Sequence, residues 1–379
     1  MSDNRKLIED ILAQVERTGD LDADAVKAAE ARQEQLAKPT GALGHLEDIT
    51  VRLAGITGRV KNDVSRQAVA VFSADNGVCA EGVASAPQSV TYSQTINMPR
   101  RFTGVSSMAK YWNFDLLVVN MGVKMDIPET LMTRDMISEG RIARKIVDRR
   151  LAPGTADLAK GPAMTDEQLE KAFLTGIEAA KAMKDAGIQV FGIGEMGIGN
   201  TTTSACVLAA LTGHSAEEVV GRGGGLTDEG LANKIRIVGE AAAANAGLDP
   251  LTIIRNAGGF DIAAMTGAYV GAALCRIPVV IDGYISAVAA LAAARLAPKA
   301  ANFMFASHKS REQGYVIAME ELGIRPLFDL GMRLGEGSGC PITFKIMETA
   351  CATMNLMATY DEGAIDADYL EQRKSGNFF

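Results

Sequence analysis

The sequence predicts an α/β fold: a doubly wound, mostly parallel sheet with a smaller helical lobe built from the N- and C-terminal segments. Short apolar runs alternate with helix-length segments from about residue 55 to residue 320, which is typical of parallel strands joined by helices. Each run ends in glycine or polar residues. The length of 379 residues accommodates one large domain and a smaller one.

The predicted strands are the five apolar runs 69–72, 116–119, 189–191, 278–281 and 302–305. Ligands of open parallel sheets bind beyond the carboxyl ends of the strands, so we expect the five following loops to line one site. Apolar spacing predicts helices near the start of the chain and at 24–36, 167–186 and 204–211. The stretch 145–168, with its prolines and glycines, is either a lid or a linker.

We predict a large α/β (Rossmann-like) domain at 55–328, and a small helical domain formed by 1–54 and 329–379. The net charge of −8, spread along the chain, disfavours nucleic acid as a partner. No apolar run approaches the roughly 20 residues of a membrane span, and the polar N-terminus is unlike a signal peptide. We therefore expect a cytoplasmic protein without a membrane partner.

Cysteine and histidine usage disfavours metal and thiol chemistry. The five cysteines form no CxxC pair, so they are expected to be free thiols in a reducing compartment. The three histidines lie far apart without metal-ligand spacing. No metal and no cofactor is predicted.

The densest motif follows the third predicted strand and reads Gly-Glu-Met-Gly-Ile-Gly-Asn-Thr-Thr-Thr. Glycines let the backbone approach a ligand, while threonine hydroxyls and free amides at a helix N-terminus donate hydrogen bonds to an anion. We predict a phosphate site here. The candidate residues are Glu195, Gly197, Gly199, Asn200, Thr201 and Thr202.

Two other interpretations of this motif stay open. Asn and Thr are good N-caps, so the segment could be only a capped helix. Residues 192–197 also satisfy GxGxxG, the dinucleotide-binding pattern. That pattern requires an acidic strand end about 20 residues later, whereas here a glycine run, 221–225, follows the helix. A dehydrogenase is therefore disfavoured.

Two further motifs contribute candidate charges. After the glycine run, Thr227 is a predicted helix cap, and Lys234 two turns later would place a cation beside the anion site; alternatively, it is a surface lysine. Glu336 lies between glycines in 333–339. In an apolar pocket its pKa would rise toward the range of a general base; alternatively, it is an exposed turn residue.

In their order along the chain and in their residues, these motifs resemble the nicotinate-nucleotide:dimethylbenzimidazole phosphoribosyltransferase family of the cobalamin pathway. The similar blocks cover nearly the whole chain: 38–44, 75–78 with 81–83, 194–203, 221–234, 258–259 with 262–265, 282–286, 307–310 and 329–339. The resemblance implies transfer of ribose 5-phosphate from nicotinate mononucleotide to an aromatic lower-ligand base, which gives an α-ribotide and nicotinate. It also implies a homodimer, or a heterodimer with a paralogue.

The resemblance assigns roles to individual residues. Glu336 would be the catalytic base that takes the proton from the acceptor. Besides the residues of the dense motif, it implies that Lys234, Asp282, Gly283, Ser310 and Arg333 hold ribose and phosphate. Ser85, Pro87, Gln88 and Leu334 would form the acceptor pocket.

Three departures from the family pattern concern the acceptor side. Asn76 and Tyr315 stand where the family commonly has His, and the residues at 84–87 differ from those usual in the family. One alternative is therefore an acceptor other than dimethylbenzimidazole, either another azole or, in a hetero-oligomer, phenol or p-cresol. Another is a non-catalytic nucleotide-binding subunit, which the presence of Glu195, Lys234 and Glu336 disfavours.

Overall fold

The computed structural model describes residues 2–366 of the chain and divides into two units. The larger unit consists of Met1–Asp20 and Arg66–Thr343, and the smaller of Leu21–Ser65 and Phe344–Phe379. Among the described residues, no helix combines the length and apolar character needed to cross a membrane.

The larger unit is built on a seven-stranded sheet in which every neighbouring pair is parallel. The strands, with a separate antiparallel pair β4–β5, are β1 (Gln67–Ala74), β2 (Asp115–Gly122), β3 (Met132–Thr133), β4 (Ile137–Ser138), β5 (Arg141–Ile142), β6 (Ile146–Asp148), β7 (Val190–Met196), β8 (Val279–Ile281) and β9 (Met304–Ala306). Their order in the sheet is β3-β6-β2-β1-β7-β8-β9. This parallel sheet with its helices confirms the predicted α/β class, and all five predicted strands belong to it.

The strand order reverses between β1 and β7. From β1 the chain moves to β2 on one side, and it later returns to place β7 on the other side of β1. Connections that leave in opposite directions open a crevice at the carboxyl ends of the two strands, which is where ligands bind in such sheets. The β1 and β7 ends therefore mark the expected site.

The helices of the larger unit are α1 (Asp3–Thr18), α4 (Ser89–Asn97), α5 (Gly104–Trp112), α6 (Asp166–Asp185), α7 (Asn200–Thr212), α8 (Ala216–Val219), α9 (Asp228–Asn245), α10 (Pro250–Ala257), α11 (Phe260–Cys275), α12 (Tyr284–Leu296) and α13 (Gly314–Leu322). The smaller unit contains α2 (Ala23–Gln35) and α3 (His45–Thr57); α14 (Cys340–Leu356) begins just before its second segment. Thr227 caps α9 as predicted, since its hydroxyl accepts from the Gly230 N–H at 3.2 Å.

Two local predictions need correction. Helix α7 begins at Asn200, four residues before the predicted 204, because Gly199 with φ 91° supplies the left-handed turn that starts it. The stretch 145–168 opens with the buried strand β6 and is therefore not entirely a connection. Its later part is tied to the larger unit, because Thr155 N–H donates to Asp75 O at 3.1 Å and Ala163 N–H to Asn256 O at 2.9 Å.

The division into units differs from the predicted domain boundaries at both ends. Helix α1, expected in the small domain, belongs to the larger unit, where Arg276 donates to Thr18 O at 2.8 Å and Glu16 accepts from the Lys299 N–H at 3.0 Å. Residues 329–343 also belong to the larger unit. In the smaller unit, Ala29, Leu36 and Met354 belong to one buried apolar cluster. The end of the predicted small domain, 367–379, lies outside the described residues.

Candidate active site

A cavity of about 320 Å³ lies at the carboxyl ends of β1, β7, β8 and β9. Loops after these four strands line it, together with the glycine run that precedes α9 and the segment 333–336. Of the five predicted loops, only the one after β2 contributes no described residue, and none comes from 145–168. The volume suits a small-molecule ligand.

Glu336 is buried at the wall of this cavity, with 3% of its surface exposed. Its Oε2 accepts a hydrogen bond from the Val105 N–H at 3.0 Å, in the first turn of α5. Burial raises the pKa of Glu336 above its usual range, whereas the amide and the Thr103 side chain lower it. The result is a carboxylate that is more basic than an exposed glutamate and held in one orientation.

Glycines allow the Glu336 segment to approach β7. A Cβ on Gly194 would lie 2.3 Å from the Gly337 nitrogen, so a side chain there would displace the backbone. On the opposite side, a Cβ on Gly335 would lie 2.4 Å from Glu195 Oε1. Glu195 and Glu336 are thereby brought to the same wall of the cavity.

Glu195 belongs to a connected group of buried carboxylates. The Asn200 Nδ2 atom donates to Glu195 Oε2 and, at 3.0 Å, to Asp261 Oδ2. Burial, followed by the charges of Asp261, Asp282 and Glu336, raises the pKa of Glu195 to about 8, against the lowering effect of Asn200. Burial likewise raises the pKa of Asp261 to about 6.

Asp282 follows β8 and orders the Glu336 segment. Its two oxygens accept from the Gly337 N–H at 3.0 Å and the Gly339 N–H at 2.7 Å. Burial raises the pKa of Asp282 to about 7, while these amides lower it. The strand end thus fixes the backbone on which Glu336 is carried.

The cavity is also lined by the cation of Lys234 and the hydroxyl of Thr201. Lys234 on α9 is buried, and its Nζ donates to Thr201 Oγ1 at 2.9 Å and to Gly221 O at 3.2 Å. Burial lowers the pKa of Lys234 to about 8. Thr201 lies in the first turn of α7, and the positive end of a helix dipole favours a negative charge there. A buried cation beside a helix N-terminus can bind an anion.

The buried ring of His308 also lines the cavity. Ser307 Oγ donates to Asp282 O at 2.9 Å, so it accepts from His308 Nδ1 at 3.1 Å. The ring is then the Nδ1–H tautomer. Burial lowers the pKa of His308 to about 4, so the ring is neutral.

The surroundings of the cysteines disfavour reactive thiolates. Burial raises the pKa of all five cysteines, which disfavours the reactive thiolate. Within residues 2–366 no group of three or more His, Cys, Asp or Glu side chains is placed to hold a metal ion.

Comparison with known proteins identifies the family. A family model described as "Phosphoribosyltransferase" matches residues 18–365. The chain belongs to this family. It is therefore a transferase enzyme, and the resemblance predicted from its motifs is confirmed.

Named relatives cover almost the full length. The nicotinate-nucleotide–dimethylbenzimidazole phosphoribosyltransferase of Clostridium perfringens is 49% identical over 93% of this chain and 95% of that protein. The enzyme of the same name from Acetivibrio thermocellus is 43% identical over 92% of this chain and 96% of its own. A crystal structure of such an enzyme from Thermus thermophilus has a TM-score of 0.83 and 37% identity, covering 91% of this chain and 99% of that one.

The cavity of this phosphoribosyltransferase brings together most of the predicted site residues. Those that line it are Ser85, Glu195, Gly197, Gly199, Asn200, Thr201, Lys234, Asp282, Gly283, Ser310, Arg333, Leu334 and Glu336. Three predicted residues do not. Thr202 is buried, and its Oγ1 has no hydrogen-bond partner within residues 2–366. Pro87 and Gln88 line an adjoining hollow, where Gln88 donates to Asn76 O at 3.0 Å.

Sequence reasoning missed two contacts that organise the site. Asp261 follows two glycines at the start of α11, a pattern that signals a helix N-terminus but no particular partner. The Val105 N–H reaches Glu336 across 231 positions of the chain, and no local pattern joins the two segments. His308, noted only as lacking metal-ligand spacing, also proves to line the cavity.

Proposed function

We propose that this chain moves ribose 5-phosphate from nicotinate mononucleotide to a cobamide lower-ligand base, dimethylbenzimidazole or a similar azole. The products would be the α-ribotide and nicotinate. The observation that carries the proposal is Glu336, a buried carboxylate oriented by the Val105 N–H at the wall of a cavity that the Lys234–Thr201 pair also lines. The named relatives support the same reaction.

The charges of the cavity suit this donor. Its phosphate fits the anion site of Lys234 and Thr201. Its pyridinium ring and the oxocarbenium-like centre at ribose C1 are positive, and the carboxyl groups of Glu195, Asp282 and Glu336 line the same cavity. Positive charge in the cavity favours the ionised forms of these carboxyl groups, and the ionised groups in turn stabilise the positive transition state.

The proposed reaction needs one proton transfer. The bond between ribose C1 and the pyridinium nitrogen breaks, and its electron pair returns to the ring, so the leaving group needs no acid. The acceptor nitrogen forms the new bond to C1 from the opposite face, which accounts for the α-product. The acceptor proton goes to Glu336, whose raised pKa makes it a better base than an exposed glutamate.

The test is Glu336→Gln, assayed with nicotinate mononucleotide and dimethylbenzimidazole by chromatography of the ribotide. We expect kcat to fall by about 10² to 10⁴-fold, the usual contribution of a general base. The wild-type rate should fall as pH drops through the raised pKa of Glu336, and this acid limb should be lost in the variant. Glu320→Gln, at an exposed position, is the matched control. Wild-type activity of Glu336→Gln would refute the mechanism.

The same assay with other acceptors examines the alternatives. A panel of benzimidazoles, adenine, phenol and p-cresol, each with the wild-type chain, gives the acceptor range. The names of the relatives favour a benzimidazole over a phenol. Turnover of dimethylbenzimidazole alone would exclude the broader acceptor range, and no turnover of any acceptor would favour the non-catalytic subunit.

The assembly and the compartment are also proposals. We infer a dimer, of two copies of this chain or with a paralogue, in which exposed apolar residues are covered: Leu334 is 58% exposed and Phe102 68%. A mass measurement on the wild type and on a Phe102 variant tests the dimer. The free cysteines support a reducing compartment such as the cytoplasm.

A further inference from the structure

We propose that Asp261 is a positioning residue of phosphoribosyl transfer, which acts through Asn200 to hold Glu195 against the backbone beside Glu336. The inference rests on the proposed function, because Glu195 is placed among the groups that hold the donor. Asp261 itself does not line the cavity and is fully buried, so any effect it has on the reaction must pass through another residue.

The Asn200 amide is the bridge. A side-chain amide nitrogen carries two hydrogens, and Asn200 Nδ2 contacts one carboxylate with each: Glu195 Oε2 and Asp261 Oδ2. An amide held at one carboxylate alone could rotate about its side chain. With one acceptor on each side, the orientation of the Asn200 amide is fixed. The position of the Glu195 oxygen that it contacts is then fixed as well.

Only a carboxylate meets the requirements at position 261. Its Oδ1 accepts from the Ile262 N–H at 2.9 Å, and its Oδ2 accepts from Asn200 at 3.0 Å. Both partners are donors, so the residue must offer two acceptors. An asparagine would offer one acceptor and one donor, and one contact would become donor against donor. Because ionised carboxylates are costly to bury, the second acceptor indicates a use beyond the local bond to the Ile262 N–H in the first turn of α11.

The second carboxylate oxygen of Glu195 shows what the Asn200 bridge positions. With Oε2 held by Asn200, Oε1 lies against Gly335, at 2.4 Å from the position of a Cβ there. Gly335 directly precedes Glu336. Movement of Glu195 by a fraction of an ångström would therefore be transmitted to the backbone that carries the base, as well as to the donor side of the cavity.

The first experiment compares Asp261→Asn with Glu170→Gln. Glu170 is a buried acid outside the cavity that accepts from the Ser2 hydroxyl at 2.6 Å, so it controls for the loss of any buried carboxylate. We expect Asp261→Asn to lower kcat/KM for nicotinate mononucleotide by about 10- to 100-fold, the effect of a misplaced group. We expect Glu170→Gln to leave kcat/KM within about 2-fold. Equal, small effects of both variants would overturn the proposal.

A double-mutant cycle with Glu195→Gln separates positioning from a general structural role. If Asp261 acts through Glu195, the double variant should be no slower than Glu195→Gln alone. If the losses of kcat/KM caused by the two single substitutions multiply in the double variant, the proposal is contradicted. The charges of Asp261, Asp282 and Glu336 all raise the pKa of Glu195. Removing the negative charge of Asp261 should therefore lower the pKa of Glu195. Any limb of the pH–rate profile that Glu195→Gln abolishes should move to lower pH in Asp261→Asn.

The cycle also remains informative without turnover. If the wild-type chain transfers nothing, the proposed function fails, and the same cycle is then run on urea unfolding. Coupling between positions 195 and 261 is expected there too, and its absence would remove the bridge. If Asp261→Asn does not fold, Asn200→Ser interrupts the bridge from its centre, and the loss of kcat/KM should match that of Glu195→Gln.

Discussion

Glu336 has a left-handed backbone conformation, with φ 62°, between Gly335 at 84° and Gly337 at 82°. Three consecutive left-handed residues are unusual, and the non-glycine one costs on the order of 1–3 kcal/mol. The conformation persists because Asp282 binds the Gly337 N–H and the Val105 N–H binds the Glu336 carboxylate. The strain is therefore localised at the residue that we propose as the base.

Gly194 provides the residue-scale test of this arrangement. Alanine there would place its Cβ 2.3 Å from the Gly337 nitrogen, so the Glu336 segment must move away from β7. We expect kcat to fall about 100-fold for a displacement near 1 Å, measured by steady-state kinetics. Gly161→Ala is the control, because no atom lies within 4 Å of its Cβ position. Unchanged kinetics in Gly194→Ala would mean that the base does not require its present position.

At the scale of elements, the proposed anion site is made where α7 and α9 meet. The first turn of α7 supplies Thr201, and α9 supplies Lys234, whose Nζ also binds Gly221 O in the glycine run before α9. The site depends on the packing of two helices whose starts are set by Gly199 and Thr227. Both starts carry recognisable sequence signals, which is why this half of the cavity could be predicted.

Lys234→Met tests the anion site. We expect KM for nicotinate mononucleotide to rise by about 10- to 100-fold, the loss of a charge-assisted hydrogen bond, with a smaller change in kcat. Because the pKa of Lys234 is lowered to about 8, the cation is present below that pH and lost above it. Wild-type affinity for the donor should therefore fall as pH rises through 8, and that of the variant should not.

The control for this substitution is Lys171→Met. Lys171 is an exposed lysine that pairs with Glu167 on α6. A KM that is the same in Lys234→Met and Lys171→Met would show that the donor phosphate binds elsewhere. Inorganic phosphate should raise the Tm of the wild type and of Lys171→Met but not of Lys234→Met.

A feature could be predicted from the sequence when it depends on residues close together in the chain, and not when it depends on contacts between distant segments. The five main strands were predictable because each overlaps a buried apolar run, whereas β3 and β6 contain only one and two apolar residues next to charged ones, so no run is visible there. Gly199 and Lys234 carry local signals. The Asp261 contact with Asn200 spans 61 positions, so it exists only once the sheet has brought α7 and α11 together.

At the scale of the whole molecule, the two units differ from the predicted boundaries for a related reason. The residues of α1 and of the two helices that follow it indicate helices, but they do not indicate which partner each helix packs against. In the structure α1 contacts elements of the larger unit, while α2 and α3 belong to the smaller one. The assignment depends on surfaces formed by distant segments, as does the proposed assembly.

The last prediction concerns that assembly. Leu334 lines the cavity and lies against Gly104, two residues after Phe102, and the side chains of Leu334 and Phe102 are both exposed. If a second copy covers them, light scattering should give a mass twice the 40.0 kDa of one chain. Phe102→Asp should lower it toward one chain, because an ionised carboxylate would be buried unpaired. Leu248→Asp, at another exposed apolar position, should not. If the mass is that of one chain and doubles only when a paralogue is added, the heterodimer is favoured. If the mass stays that of one chain with and without the paralogue, the dimer is refuted.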